Sequence, residues 1–294
     1  MKNEEQKTVK KTVKTGTKAT KPRQKWHFDK EKIAFVVFLL AWVALSFTAS
    51  QIIVAYPMQM LLGEAVTKPL WTLVYSILQY ALTIALVVWL PPRLWRQAKA
   101  RRRLANPGTK AAQTEDAVEE KILSTPISVK NNPLATNRNE MGVGDFPTFV
   151  DIGLAPIGYV AYLVLANVLT MAMSIFEWFN KDQTQDVGFG YFITTGDRVM
   201  AMIALVLIAP IAEEILMRGW LYGKMRTKLS AVSATLLVSV LFGLLHGQWN
   251  VGVATFALSV VMCSLREITG TIWSGILLHM LSNGIAFYIL YVAI

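Results

Sequence analysis

Charge is scarce in this chain. Charged residues make up 16% of its 294 residues and apolar residues 54%, against roughly 25% charged in an ordinary soluble domain. With a mean hydropathy of +0.42, too little polar surface is present to coat a water-soluble globule, which excludes a soluble enzyme and a disordered protein. Cysteine is nearly absent too. Cys263 stands alone, so no internal disulfide forms and a secreted disulfide scaffold is excluded. It lies in an apolar run and reads as a small hydrophobe. There are three histidines, His27, His246 and His279, and no His-Glu-x-x-His helix of the common zinc-peptidase type.

The net charge of +10 resembles a nucleic-acid signal until it is located. Residues 1–32 carry a net +7, residues 91–150 a net +4, and everything else sums to −1. The positive charge therefore belongs to two polar segments, and nucleic acid is not an expected partner.

The remainder is apolar runs. Ile33 to Ala55 has no charge over 23 residues, longer than the roughly 7–15 apolar residues of a signal peptide. It reads as an uncleaved membrane helix. A second span runs from about Leu70 to Leu90, where Pro91-Pro92 should stop it. Further spans are expected at Asp151 to Phe179, from Arg198 through Pro210, Ala231 to His246, Val251 to Leu265, and Ile272 to Val292. The fifth and sixth are short for a crossing of about 20 residues. The expectation is an all-α polytopic membrane bundle of about seven to eight transmembrane helices. It divides into a basic disordered tail (1–32), two membrane helices (33–90), a long flexible polar loop (91–147) and a membrane bundle (148–294). Within that loop only Glu115 to Leu123 has helical character.

Orientation follows the Lys/Arg bias of the short loops. The tail and the segment after Leu90 are strongly basic and belong in the cytoplasm, as do the turns with Lys224, Arg226, Lys228 and Arg266. The 56–69 and 180–197 loops carry one lysine each, Lys68 and Lys181, and belong outside. The amino terminus is expected in the cytoplasm and the carboxyl terminus outside. The compact loops have the look of a prokaryotic plasma-membrane protein.

Within these spans a few residues are out of place. A charge near the bilayer centre costs about 2.5–3.5 kcal/mol on the lenient insertion scales. Yet the fourth span reads Ile208-Ala-Pro-Ile-Ala-Glu213-Glu214-Ile-Leu-Met-Arg218, and Gly219-Trp220-Leu221-Tyr222 continues its apolar character. Residues four apart share a helix face, so Glu214 and Arg218 form an in-helix ion pair. Glu213 points elsewhere, available to another helix as a general base. His246 follows Phe242 by four residues, and His279 precedes Asn283 by four. A carboxylate, two imidazoles and an amide in neighbouring spans are the parts of a hydrolytic site.

Glu213-Glu214-x-x-x-Arg218, Phe242-x-x-x-His246 and His279-x-x-x-Asn283, in this order, resemble the three motifs of the CPBP family. This is the CAAX-protease and bacteriocin-processing group of intramembrane proteases, to which the Ras-converting CAAX endopeptidase is related. The resemblance covers roughly residues 198–290. It implies peptide-bond hydrolysis inside a membrane cavity, with a membrane-associated protein or peptide as substrate. Glu213 and His246 would activate the attacking water. His279 and Asn283 would bind the carbonyl oxygen as charge develops on it, and Glu214, Arg218 and Phe242 would support them. A metal-free reaction is favoured, because a zinc site of Glu213, His246 and His279 would leave only Glu214, already paired with Arg218, as the base. A zinc-dependent version stays open, as do a transporter using the same residues as a polar path and a non-catalytic scaffold or immunity factor.

Overall fold

The computed structural model describes residues 29–104, 134–183 and 194–292. The tail 1–28, residues 105–133 with the stretch Glu115 to Leu123, and residues 184–193 lie outside the described residues. Helix α1 is Lys30–Leu62. Helix α2, Pro69–Ile84, passes through a π-helical turn, Ala85–Trp89, into α3, Leu90–Leu104. Helix α4 is Phe149–Met173. The next membrane helix is built from pieces: α5 Thr195–Met202, a π turn Ile203–Ile208, α6 Ala209–Glu214, a second π stretch Ile215–Tyr222, and α7 Gly223–Arg226. Helices α8 (Ala231–Leu244), α9 (Trp249–Thr269) and α10 (Trp273–Tyr291) complete it. Among the described residues six helices are long and apolar enough to cross a membrane, and α8 is a shorter apolar helix. The protein is an all-helical integral membrane bundle.

Large apolar side chains such as Leu45, Ile157 and Met171 point outward, where acyl chains would meet them. Lipid offers no hydrophobic drive between helices, so association depends on small residues and interhelical hydrogen bonds. Both are present. A Cβ on Gly243 would stand 2.6 Å from the Gly252 carbonyl oxygen, so α8 and α9 cross backbone to backbone. Gly158 of α4 packs against Leu265 and Leu278. Ser50 of α1 and Thr83 of α2, both fully buried, share a hydrogen bond of 2.5 Å. The core centres on Trp220, Leu221, Met225, Phe242, Met262 and Leu278.

One end of the bundle is tied by polar groups. Arg226 and Glu267 pair at 2.8 Å, joining α7 to α9. Thr148 and Asp151 form a capping box at the start of α4, and Asp151 also accepts from Thr271 at 3.0 Å. Part of the polar segment expected to be flexible is bound here. Lys224 Nζ donates to the Ala135 carbonyl, Arg266 Nη2 to the Glu140 carbonyl at 2.8 Å, and Trp273 Nε1 to the Asp145 carbonyl at 2.6 Å.

Pro91-Pro92 does not end its helix, contrary to the sequence expectation, and α3 continues to Leu104. Pro91 has no N–H to give. In the π spacing upstream, that N–H would have served Leu86, five residues back. The Leu86 carbonyl is served instead by Trp42 Nε1 of α1, at 3.2 Å.

Candidate functional site

The segmented fourth membrane helix positions the carboxylates. Pro210, in the first turn of α6, repeats the arrangement at Pro91. A π turn precedes it, and the carbonyl five residues back, Leu205, is taken by Asn283 Nδ2 of α10 at 2.9 Å. A π turn shifts the helix face that follows, and here Glu213 and Glu214 follow directly.

Glu214 and Arg218 pair as the four-residue spacing requires, Nη1 to Oε1 at 2.7 Å, with both side chains fully buried. The same Glu214 oxygen lies 3.2 Å from Nδ1 of His279, whose side chain is 4% exposed. A carboxylate only accepts, so in this arrangement His279 carries a proton on Nδ1. Glu214 Oε2 faces Gly275, where a Cβ would approach to 2.9 Å, and so α10 can lie this close only with glycine there. Arg218 is further held over the Phe242 ring, 4.6 Å from its centroid.

Glu213 leaves this pair and faces another helix. Its Oε2 is 3.8 Å from His279 Nε2, with 13% of the side chain exposed. That distance is too long for a hydrogen bond. Its Oε1 accepts a hydrogen bond from the Tyr80 hydroxyl of α2. Tyr80 went unnoticed in the sequence. The available signal is faint: Gln79, Tyr80 and Thr83 interrupt an apolar run at helical spacing.

Phe242 joins the remaining histidine to the cluster. Its ring meets His246 edge-on at 5.0 Å and His279 at 5.9 Å. With 14 residues, α8 is about 21 Å long and falls short of a hydrocarbon core of about 30 Å. The Phe242 ring, which meets both imidazoles, is what places His246 near His279. His246 Nδ1 bonds the Phe242 carbonyl at 2.7 Å. That carbonyl only accepts, so His246 carries a proton on Nδ1 and turns Nε2 away from it. Among the described residues no hydrogen bond or ion pair joins His246 to Glu213 or His279.

Thus the structure gathers Glu213, Glu214, Arg218, His279 and Phe242, sets His246 at their edge, and turns one Asn283 N–H to Leu205. Among the described residues no group of three His, Cys, Asp or Glu is arranged to hold a metal ion. Glu213, His246 and His279, the zinc ligands weighed from the sequence, form no such group.

Residues 195–285 match the family model described as Type II CAAX prenyl endopeptidase Rce1-like. The matched segment runs from α5 into α10 and contains every motif residue named above. With six apolar helices of membrane-spanning length, the match supports a CAAX-type intramembrane protease. No curated protein and no solved structure matches the chain.

Proposed function

We propose that the protein is an intramembrane endopeptidase that hydrolyses a peptide bond of a membrane-associated protein or peptide precursor. The observation that carries this reading is the placement of Glu213 opposite His279, with the second carboxylate, Glu214, already committed to Arg218 and His279. Glu213 is thereby the carboxylate left for chemistry.

In this reading Glu213 takes a proton from water as the hydroxide adds to the scissile carbonyl carbon, with His246 Nε2 assisting from the cavity edge. Imidazolium His279, its Nδ1–H held by Glu214, directs Nε2–H at the developing oxyanion. Asn283 carries a second N–H beyond the one bound to Leu205, which is available to the same oxygen. Preorganised donors of this kind are worth about 2.7–4 kcal/mol each. Glu213 then returns its proton to the departing amine, and the C–N bond breaks. No step requires a metal ion. The amino terminus lies in the cytoplasm, in the plasma membrane of a prokaryote.

The test compares the chain ends of membrane proteins in cells carrying wild-type protein and Glu213→Gln at matched abundance. New amino termini dependent on Glu213 are expected. Identical sets of chain ends would overturn the reading.

A further inference from the structure

We propose that Tyr80 is a positioning residue for Glu213: its hydroxyl tethers one carboxylate oxygen and so holds the other off His279. The inference rests on the hydrolytic reading above and extends the site to a helix outside the matched segment 195–285.

The tether is a contact between elements far apart in sequence. Tyr80 Oη donates to Glu213 Oε1 across 133 positions of chain. Helix α2 is otherwise little buried, its buried residues being Gln79 and Thr83. Its few inward polar groups cluster at this level. Gln79 and Thr83 are buried, Thr83 bonds Ser50 of α1 and its own Gln79 carbonyl, and the Tyr80 ring packs against Phe47 of α1 at 6.4 Å. The phenol is therefore fixed by two helices before it meets the carboxylate.

The second consideration is what Glu213 would do untethered. The terminal torsion of a glutamate is broad and easily turned. Its Oε2 stands 3.8 Å from His279 Nε2, about 0.6 Å beyond the usual limit for such a hydrogen bond. A carboxylate facing an Nε2–H of the kind the proposed reaction needs, across so small a gap, closes onto it unless held elsewhere. Closure would bond the base to the group that must serve the oxyanion, and both would be lost to the reaction. Tyr80 prevents this by holding Oε1, which also fixes the carboxylate plane and leaves Oε2 for water. A phenol suits the task because its rigid ring reaches across from α2 and its O–H gives a single directed hydrogen bond.

The experiment uses the full-length protein with 13C-labelled glutamate in detergent, as wild type, Tyr80→Phe and Glu213→Gln. The infrared band lost in Glu213→Gln is that of Glu213. Its frequency is expected to shift in Tyr80→Phe, with no substrate required. On a peptide spanning a cleavage site found by the chain-end comparison, Tyr80→Phe should lower kcat by about 100-fold, the usual cost of misplacing a reacting group. KM should stay within about twofold, because Tyr80 acts on the base and not on substrate. Replacing Tyr80 by fluorotyrosines, which keep the ring and alter the acidity of the hydroxyl, should change kcat in graded fashion. A Glu213 band unchanged by Tyr80→Phe would overturn the proposal. So would wild-type kcat in Tyr80→Phe when Glu213→Gln is inactive. An active Glu213→Gln would instead remove Glu213 as the base, and with it the ground for both readings.

Discussion

The Nδ1 atom of His279 lies 3.2 Å from the Glu214 oxygen that also receives Arg218 at 2.7 Å. One buried oxygen thus fixes an arginine on its own helix and an imidazole on α10. In the proposed reaction the two adjacent glutamates have separate purposes: Glu214, bound to Arg218 and His279, organises the site, and Glu213 acts as the base.

That separation predicts different failures. Glu213→Gln should keep the fold and abolish hydrolysis. Glu214→Gln should leave Arg218 as a buried charge without its partner, a change that typically costs about 3–5 kcal/mol. Thermal unfolding in detergent and membrane abundance should fall for Glu214→Gln and hold for Glu213→Gln. The reverse pattern would exchange the two assignments.

Gly275 gives a second check on the same ion pair. A Cβ there would stand 2.9 Å from Glu214 Oε2, and the carboxylate cannot retreat without leaving Arg218 or His279. Gly275→Ala should destabilise by about 1–3 kcal/mol, the usual range for overpacking. A melting temperature equal to wild type would mean that α10 shifts freely at this level.

The Glu214–Arg218 pair was legible in the sequence because both residues lie on one helix, where spacing alone fixes proximity. The motifs of α8 and α10 are visible in the sequence, but the partners of their residues are not. Sequence spacing puts Asn283 beside His279 and says nothing of the Leu205 carbonyl, whose need arises from a π turn ahead of Pro210. Pro91-Pro92 was misread for the same reason: a proline inside a membrane helix is tolerated when another helix supplies the missing donor, here Trp42. Tyr80 was hidden because a tyrosine is not out of place in an apolar run that also holds Tyr75, and its partner lies 133 residues away.

Topology is tested without substrate. A reporter fused at Gly108 is expected in the cytoplasm and one at Asp186 outside, from the Lys/Arg distribution of the flanking loops. Both reporters on one side would break the alternation of the first three spans.

The metal question has a direct test. The proposed reaction uses the base, the imidazoles and the amide without a metal ion, and among the described residues Glu213, His246 and His279 do not form a metal-holding group. Activity should survive strong chelation and dialysis. In the zinc alternative, chelation would abolish activity, zinc alone would restore it, and metal content near one per chain would fall in both His246→Ala and His279→Ala.

In the proposed reaction Asn283 has two tasks, and they can be separated. Its Nδ2 serves the Leu205 carbonyl that Pro210 leaves without a helical donor. Asn283→Ala should therefore cost stability of about 1–3 kcal/mol, the usual penalty for a buried acceptor left unpaired, besides the roughly 100- to 1000-fold loss of turnover expected for one oxyanion donor. Pro210→Ala restores a backbone N–H to the helix. In that background Asn283→Ala should lose much less stability, while the turnover loss remains. A double-mutant cycle followed by thermal unfolding and by kcat measures the two effects apart. If the stability costs simply add, the Leu205 carbonyl is not what Asn283 protects. If turnover is unaffected in both backgrounds, Asn283 acts in structure alone and His279 must meet the oxyanion by itself.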